Sequence, residues 1–293
     1  MSISVLLTAA LVMAGIGVLL ATILAVAGLK LQVEEDPRVN AVEGMLPGTN
    51  CGACGKPGCR AFAESLVEGV SSPAGCSVSS PEGRESIAAF LGVGVGEAVK
   101  RVARLACAGG SNVARQRVDY RGLNTCRAAS LVAGGGKGCV WGCLGLADCE
   151  TACTFNAITM DAHDLPVVNE ALCTACGDCV TVCPKRLFSI VDQANALWVA
   201  CNSLLAGDAA EAECDVACTG CGKCAADGAP GLIEIRDGLA VVNPDSMNKA
   251  SEAAIQRCPT GAILWVEQTS EGTVFRKGLA AKPVLRDRAL PIG

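Results

Sequence analysis

Between Cys139 and Cys183 eight cysteines fall in two blocks whose spacing suits metal ligation better than disulfide pairing. In the second block, Cys173, Cys176, Cys179 and Cys183 read C-x2-C-x2-C-x3-C and run directly into Pro184. That is the ligand run of two-cluster iron–sulfur proteins, in which three thiolates hold one cubane and the fourth crosses to the other. The first block is stretched, with Cys139, Cys143, Cys149 and Cys153 separated by three, five and three residues. Crossing the blocks assigns Cys139, Cys143, Cys149 and Cys183 to one [4Fe–4S] cluster. Cys153, Cys173, Cys176 and Cys179 then hold a second. Soft thiolates select iron–sulfur clusters or zinc over hard cations. Paired structural zinc sites are the competing reading, which interleaved quartets ending in Cys-Pro disfavour.

Two further quartets flank this centre. In LPGTNCGACGKPGCRAFAESLVEG, Cys51, Cys54 and Cys59, with the later Cys76, supply four thiolates. Gly52, Gly55 and Gly58 let backbone N–H groups approach a cluster there, and zinc is again the alternative. Beyond Cys201 the two-cluster pattern returns imperfectly, as Cys218, Cys221, Cys224 and then Cys258-Pro259. Laid on the two-cluster template, the missing ligands fall at Gly228, Asn248, Ser251 and Ala254. Those four positions form one complete crossed set, so this unit is expected to hold one cluster rather than two. Sixteen cysteines are thereby used. Cys107, Cys126, Cys201 and Cys214 are left over, two before and two after the central unit. They are read as the ligands of a fifth cluster, with buried free thiols or a zinc site as alternatives.

The elements that must position these thiols follow from pattern. Residues 3–29 carry no charge and are long enough to span a bilayer as one helix. Lys30 and Arg38 follow it and nothing basic precedes it, which places the remainder on the cytoplasmic side. Ala10, Ala14, Gly17, Ala21, Ala25 and Gly28 make a small-residue stripe of the kind that lets helices approach in lipid. An acidic-leaning linker is expected over 31–42. A short amphipathic helix is expected over 60–69, with Phe62, Leu66 and Val67 on one side. Ser80-Pro81 reads as a cap opening a helix to about Leu91. AITM and PVV around DAHDL, and LIEI and AVV around Asp237-Gly238, read as hairpins. GGGKG at 134–138 lacks the first glycine and the Ser/Thr of a phosphate loop and is rejected as one.

Composition narrows the class. A net charge of −5 argues against nucleic acid as a partner. The single histidine, His163, lies in the first hairpin loop, reads as solvated, and cannot build a His-rich metal site. Cluster thiolates need a reducing compartment, where disulfides are rare. No nucleophile, general base or substrate pocket is recognisable. The basic tail, with Arg276, Lys277, Lys282, Arg286 and Arg288, reads as a solvated, disordered segment.

With DPRV, LPGTNCGACGKPGC, Cys76 and GCLGLADCETACTFNAI in view, residues 1 to about 195 resemble the B subunit of Rnf-type ion-translocating oxidoreductase complexes. The resemblance implies an electron-relay subunit of a translocase, working between ferredoxin and NAD while the whole complex moves Na+ or H+. It also implies other membrane subunits, soluble ferredoxin and membrane lipid as partners, and a cell-membrane location. The fold class expected is α+β, a transmembrane helix followed by small iron–sulfur modules, two of them ferredoxin-like. The divisions expected are 1–30 anchor, 31–96 N-terminal [4Fe–4S] module, 97–135 connecting segment, 136–195 two-cluster module, 196–275 degenerate one-cluster module and 276–293 basic tail. Four [4Fe–4S] clusters are expected, and a fifth if the leftover cysteines ligate. A polyferredoxin serving a hydrogenase or formate dehydrogenase, and a non-redox zinc scaffold, are the alternatives.

Overall fold

The computed structural model describes residues 3–30, 36–97, 99–270 and 272–290. Helix α1 (Ile3–Lys30) is apolar, and within it Ala10–Gly28 reaches a mean hydropathy of 2.6 with none of its surface buried. At about 1.5 Å per residue such a helix exceeds a hydrocarbon core of roughly 30 Å. The small stripe from Ala10 to Gly28 is exposed along its length.

The N-terminal module packs three helices. The segment read as a linker contains α2 (Pro37–Met45) instead, because Asp36 caps it, accepting from Arg38 N, and Pro37 sits at its first turn. Helix α3 (Cys59–Val67) buries Phe62, Ala63 and Leu66, while Val67 is half-buried. Helix α4 (Pro81–Leu91) starts at Ser80, whose hydroxyl accepts from Gly83 N, and stops at Gly92 in the left-handed region. Val39, Val42, Leu46, Phe62, Leu66 and Ile87 form their shared core.

The central unit opens with a strand that pattern alone missed. Strand β1 (Arg101–Leu105) belongs to the segment read as a connection; Val102, Ala103 and Arg104 are all buried, so no polar–apolar alternation marks it. It is followed by α5 (Cys126–Leu131), α6 (Asp148–Ala152), the hairpin β2 (Ile158–Met160) and β3 (Pro166–Val168), α7 (Asp178–Val182) and β4 (Phe188–Asp192). β1 pairs antiparallel with β4, Ala103 opposite Ile190. Its inward residues join Cys149, Ile158, Cys179 and Phe188 in one core. His163 lies half-buried in the β2–β3 turn, its carbonyl accepting from Ser111 N.

The last unit comprises β5 (Leu197–Val199), α8 (Gly207–Glu213), α9 (Lys223–Asp227), the hairpin β6 (Ile233–Arg236) and β7 (Leu239–Val242), α10 (Ala253–Gln256), β8 (Ile263–Thr269) and β9 (Gly272–Arg276). β5, β8 and β9 form an antiparallel sheet. Asp237 and Gly238 turn the β6–β7 hairpin with φ of 49° and 77°, the type I′ geometry that Asp-Gly favours. The basic tail is not free of the body. Arg276 pairs with Glu252 and Glu267, Lys282 with Glu211, and Arg286 with Asp215. Leu290 is buried, its N–H donating to Ser111 O, so this segment is ordered by ion pairs and a packed side chain.

Candidate metal centres

The local geometry repeats. Helices α6, α7 and α9 each begin after a left-handed residue, Ala147, Gly177 and Gly222, and each carries a buried cysteine, Cys149, Cys179 and Cys224. Cys153 caps the C-terminus of α6 and Cys183 that of α7. Thiols of one block lie beside thiols of the other. Burial pushes the Cys179 thiol up to about 12, and the neighbouring sulfurs of Cys173, Cys176 and Cys153 add to the rise. Cys149 is likewise pushed up to about 12, by burial first and then by Cys126 and Cys183. Backbone N–H groups reach the sulfurs: Ala157 N lies 3.3 Å from Cys153 Sγ and Ala103 N lies 3.4 Å from Cys173 Sγ.

The flanking quartets each surround a small cavity. Cys51, Cys54, Cys59 and Cys76 line one of about 20 Å³. There Asn50 Oδ1 accepts from Cys59 N at 2.8 Å, while Gly52 and Gly55 adopt φ of 71° and 80°. Cys218, Cys221, Cys224 and Cys258 line another of about 20 Å³. In this unit two of the four positions of the absent second set, Gly228 and Ala254, lie in apolar packing, while Asn248 and Ser251 are exposed. Gly228 caps α9 where Cys153 caps α6, and a Cβ there would lie 3.4 Å from Ile233 Cδ1 and 3.8 Å from Ala254 Cβ. Ala254 is itself part of the buried core.

Two cysteines stand elsewhere than spacing suggests. Cys139 lines a third cavity, also about 20 Å³, together with Cys107, Cys201 and Cys214. Cys126 does not line it. The cause is local. Gly138 N donates to Arg115 O and Gln116 bridges to Lys137, which ties the chain before Cys139 to the 113–116 segment. Cys126 opens α5, whose Arg127 N donates to Asp148 Oδ2, so its thiol meets the start of α6 and lies near Cys183. Burial raises the Cys126 thiol above its ordinary value.

These donor sets fit [4Fe–4S] clusters: soft thiolates in sets of four, small pockets at three of the sets, and N–H donors to sulfur. Zinc fits less well. A Zn–S length of about 2.3 Å would gather the sulfurs tightly about one point. Among the described residues no three His, Cys, Asp or Glu side chains are gathered for a single metal ion.

Comparison with known proteins agrees with this chemistry. Residues 46–78 match a family model for an Fe–S cluster region, and residues 165–191 match one described as a 4Fe-4S binding domain. The chain is 37% identical to the B subunit of the Na(+)-translocating ferredoxin:NAD(+) oxidoreductase complex of Acetobacterium woodii, over 86% of this chain and 75% of that one. It is 36% identical to the B subunit of the ion-translocating oxidoreductase complex of Methanosarcina acetivorans, over 89% of this chain and 98% of that protein. The chain belongs to the B-subunit family of ion-translocating oxidoreductase complexes. A third B subunit, from the proton-translocating ferredoxin:NAD(+) oxidoreductase complex of Clostridium ljungdahlii, is 35% identical over 86% of this chain and 89% of its own length. In the present B subunit the resemblance extends past residue 195, since the matched region takes in most of the chain.

Proposed function

We propose that this protein is the membrane-anchored iron–sulfur electron-transfer subunit of a complex that couples electron exchange between ferredoxin and NAD to ion translocation. A [4Fe–4S] cluster, when bound, supplies reversible one-electron oxidation and reduction at a potential set by burial and hydrogen bonds to sulfur. The chain's own residues hold, bury and hydrogen-bond the thiolates. Cys51, Cys54, Cys59 and Cys76 form the first quartet, Cys153, Cys173, Cys176 and Cys179 another, and Cys218, Cys221, Cys224 and Cys258 the one nearest the C-terminus.

The observation that carries this reading is that the quartets adjoin one another. Cys54 and Cys173 line one cavity between the N-terminal module and the central unit. That seam is pinned where Ser77 Oγ donates to Thr174 O at 2.8 Å and Arg101 donates to Ala53 O at 2.7 Å. Of the twenty cysteines only Cys221 is exposed, so the C-terminal quartet reaches the surface. We place soluble ferredoxin there, as donor or acceptor. Helix α1 anchors the chain among other membrane subunits, to which flavin chemistry and ion movement belong, and the cluster modules face the cytoplasm. The modules divide as anchor, N-terminal cluster unit, two-cluster unit and one-cluster unit.

Washed membranes of a strain lacking this protein test the reading. Ferredoxin-dependent NAD reduction should be lost, and restored by the wild-type gene but not by one carrying Cys173→Ser and Cys179→Ser. Unchanged activity, with loss of a hydrogenase or formate dehydrogenase activity instead, would overturn it.

A further inference from the structure

We propose that Cys107, Cys139, Cys201 and Cys214 hold a fifth [4Fe–4S] cluster, and that Cys126 joins Cys143, Cys149 and Cys183 in the neighbouring quartet. The inference deepens the iron–sulfur reading and rests on it. Three independent observations support the site.

The cavity those four cysteines line holds about 20 Å³, as do the cavities of the Cys218 quartet and of the first quartet. Sulfur atoms from distant segments converge on it. A Cβ at Gly109 would lie 3.2 Å from Cys214 Sγ and 3.6 Å from Cys107 Sγ, so a residue without a side chain is what leaves the space open. The segments are brought together by backbone bonds: Ala108 N donates to Ala200 O, and Ala114 bridges to Cys214.

The sulfurs accept N–H bonds as those of the central unit do. Cys143 N lies 3.4 Å from Cys107 Sγ, Cys218 N lies 3.3 Å from Cys201 Sγ, and Ser203 N lies 3.5 Å from the same sulfur. Such donors stabilise ligated thiolates.

The cavity wall also carries a buried cation. Lys137 is 7% exposed, and its Nζ reaches two carbonyls, Gly109 O at 2.5 Å and Cys143 O at 2.6 Å. Among the described residues no carboxylate forms an ion pair with it. A buried ammonium without a counter-charge is strongly unfavourable. A cubane held by four thiolates is net anionic in both of its common oxidation states, and it would supply that charge at the cavity Lys137 lines.

The assignment accounts for all twenty cysteines as five sets of four. It also closes a break in the series. Cys107 Sγ receives the N–H of Cys143, a member of the neighbouring quartet, and Cys201 Sγ receives that of Cys218. The fifth site therefore stands between the two-cluster unit and the C-terminal one.

Anaerobically purified full-length protein decides the matter by metal and acid-labile sulfide content. Five cubanes give about 20 iron atoms per chain and four give about 16. About 20 supports the site. About 16, or zinc making up the difference, overturns it, while negligible iron overturns the iron–sulfur reading itself. The wild-type count needs no variant to fold. In variants, Cys201→Ser with Cys214→Ser should lose about four iron atoms. Cys139→Ser should alter the same EPR component as that pair, and Cys126→Ser the component altered by Cys149→Ser. If Cys139→Ser and Cys149→Ser alter one component together, the exchange of ligands is refuted.

Discussion

Arg104 and Glu170 offer a quantitative test of what holds the modules together. Both are buried, at 1% and 5% exposure, and Arg104 Nε lies 3.2 Å from Glu170 Oε1. The other guanidinium nitrogens donate to Asn195 O and Gln193 O, in the turn joining β4 to β5. Glu170 Oε2 accepts from Gln193 Nε2 at 3.2 Å and from Gln268 Nε2 on β8 at 3.0 Å. Burial pulls the guanidinium pKa down and Glu170 opposes it, yet Arg stays charged at neutral pH. Arg104→Met would leave a buried carboxylate with two amide donors and no cation. Removing one partner of such a pair costs about 3–5 kcal/mol, whereas replacing both with apolar residues of similar volume is often near neutral. With a urea m-value of about 2 kcal/mol/M, a 4 kcal/mol loss lowers the midpoint by about 2 M. Anaerobic urea titration of the detergent-solubilised protein, followed by visible cluster absorbance, reads this shift. Arg104→Met with Glu170→Met should recover most of it. A single variant within about 0.5 M of wild type, or a double variant no better than the single, would refute the reasoning.

Cys153→Ser should alter the EPR signal of the cluster held by Cys173, Cys176 and Cys179 and spare its partner; the reverse pattern excludes the crossed assignment. Lys137→Met should make the adjacent cluster harder to reduce, by on the order of 50 mV for about 1.2 kcal/mol of lost attraction, as read by redox titration; Lys137→Arg should keep most of the potential. Leu279, 93% exposed, suits a sidedness probe. Leu279→Cys in intact cells should stay unlabelled by an impermeant thiol reagent, and labelling would place the cluster modules outside. Burial pushes Cys143, Cys149, Cys179 and Cys214 up to about 12, so these thiols are neutral near pH 7 in the metal-free chain. Ligation must expel their protons, so the rate of cluster incorporation should rise from about pH 7 to about pH 9. A rate independent of pH over that window would argue that deprotonation is not limiting.

Much of this protein was legible in the order of its residues, because the features concerned are local. Helix α1 needs only an uncharged apolar run, α4 only Ser80-Pro81 and Gly92, and the β6–β7 hairpin only Asp237-Gly238. The ligand blocks also show in spacing, since a short helix such as α7 sets where Cys179 and Cys183 stand relative to each other. The last unit carries Gly228, Asn248, Ser251 and Ala254 where a two-cluster template has cysteines. The structure adds only that Ile233 and Ala254 pack against the Gly228 position.

What spacing cannot reveal is contact between segments far apart in the chain. Strand β1 is specified by its distant partner β4, and not by its own composition. The tail is ordered by Glu252, Glu267, Glu211 and Asp215, whose positions depend on the fold. Cys139 reads as a member of the block it adjoins, only four residues from Cys143. Backbone bonds from Arg115 and the bridge at Gln116 instead turn it toward Cys107, Cys201 and Cys214. Cysteine type and local spacing thus determined that this chain carries thiols in blocks suited to iron–sulfur clusters. Which thiols share a cavity was decided by tertiary pairing, because a ligand set is defined by where sulfur atoms converge in space.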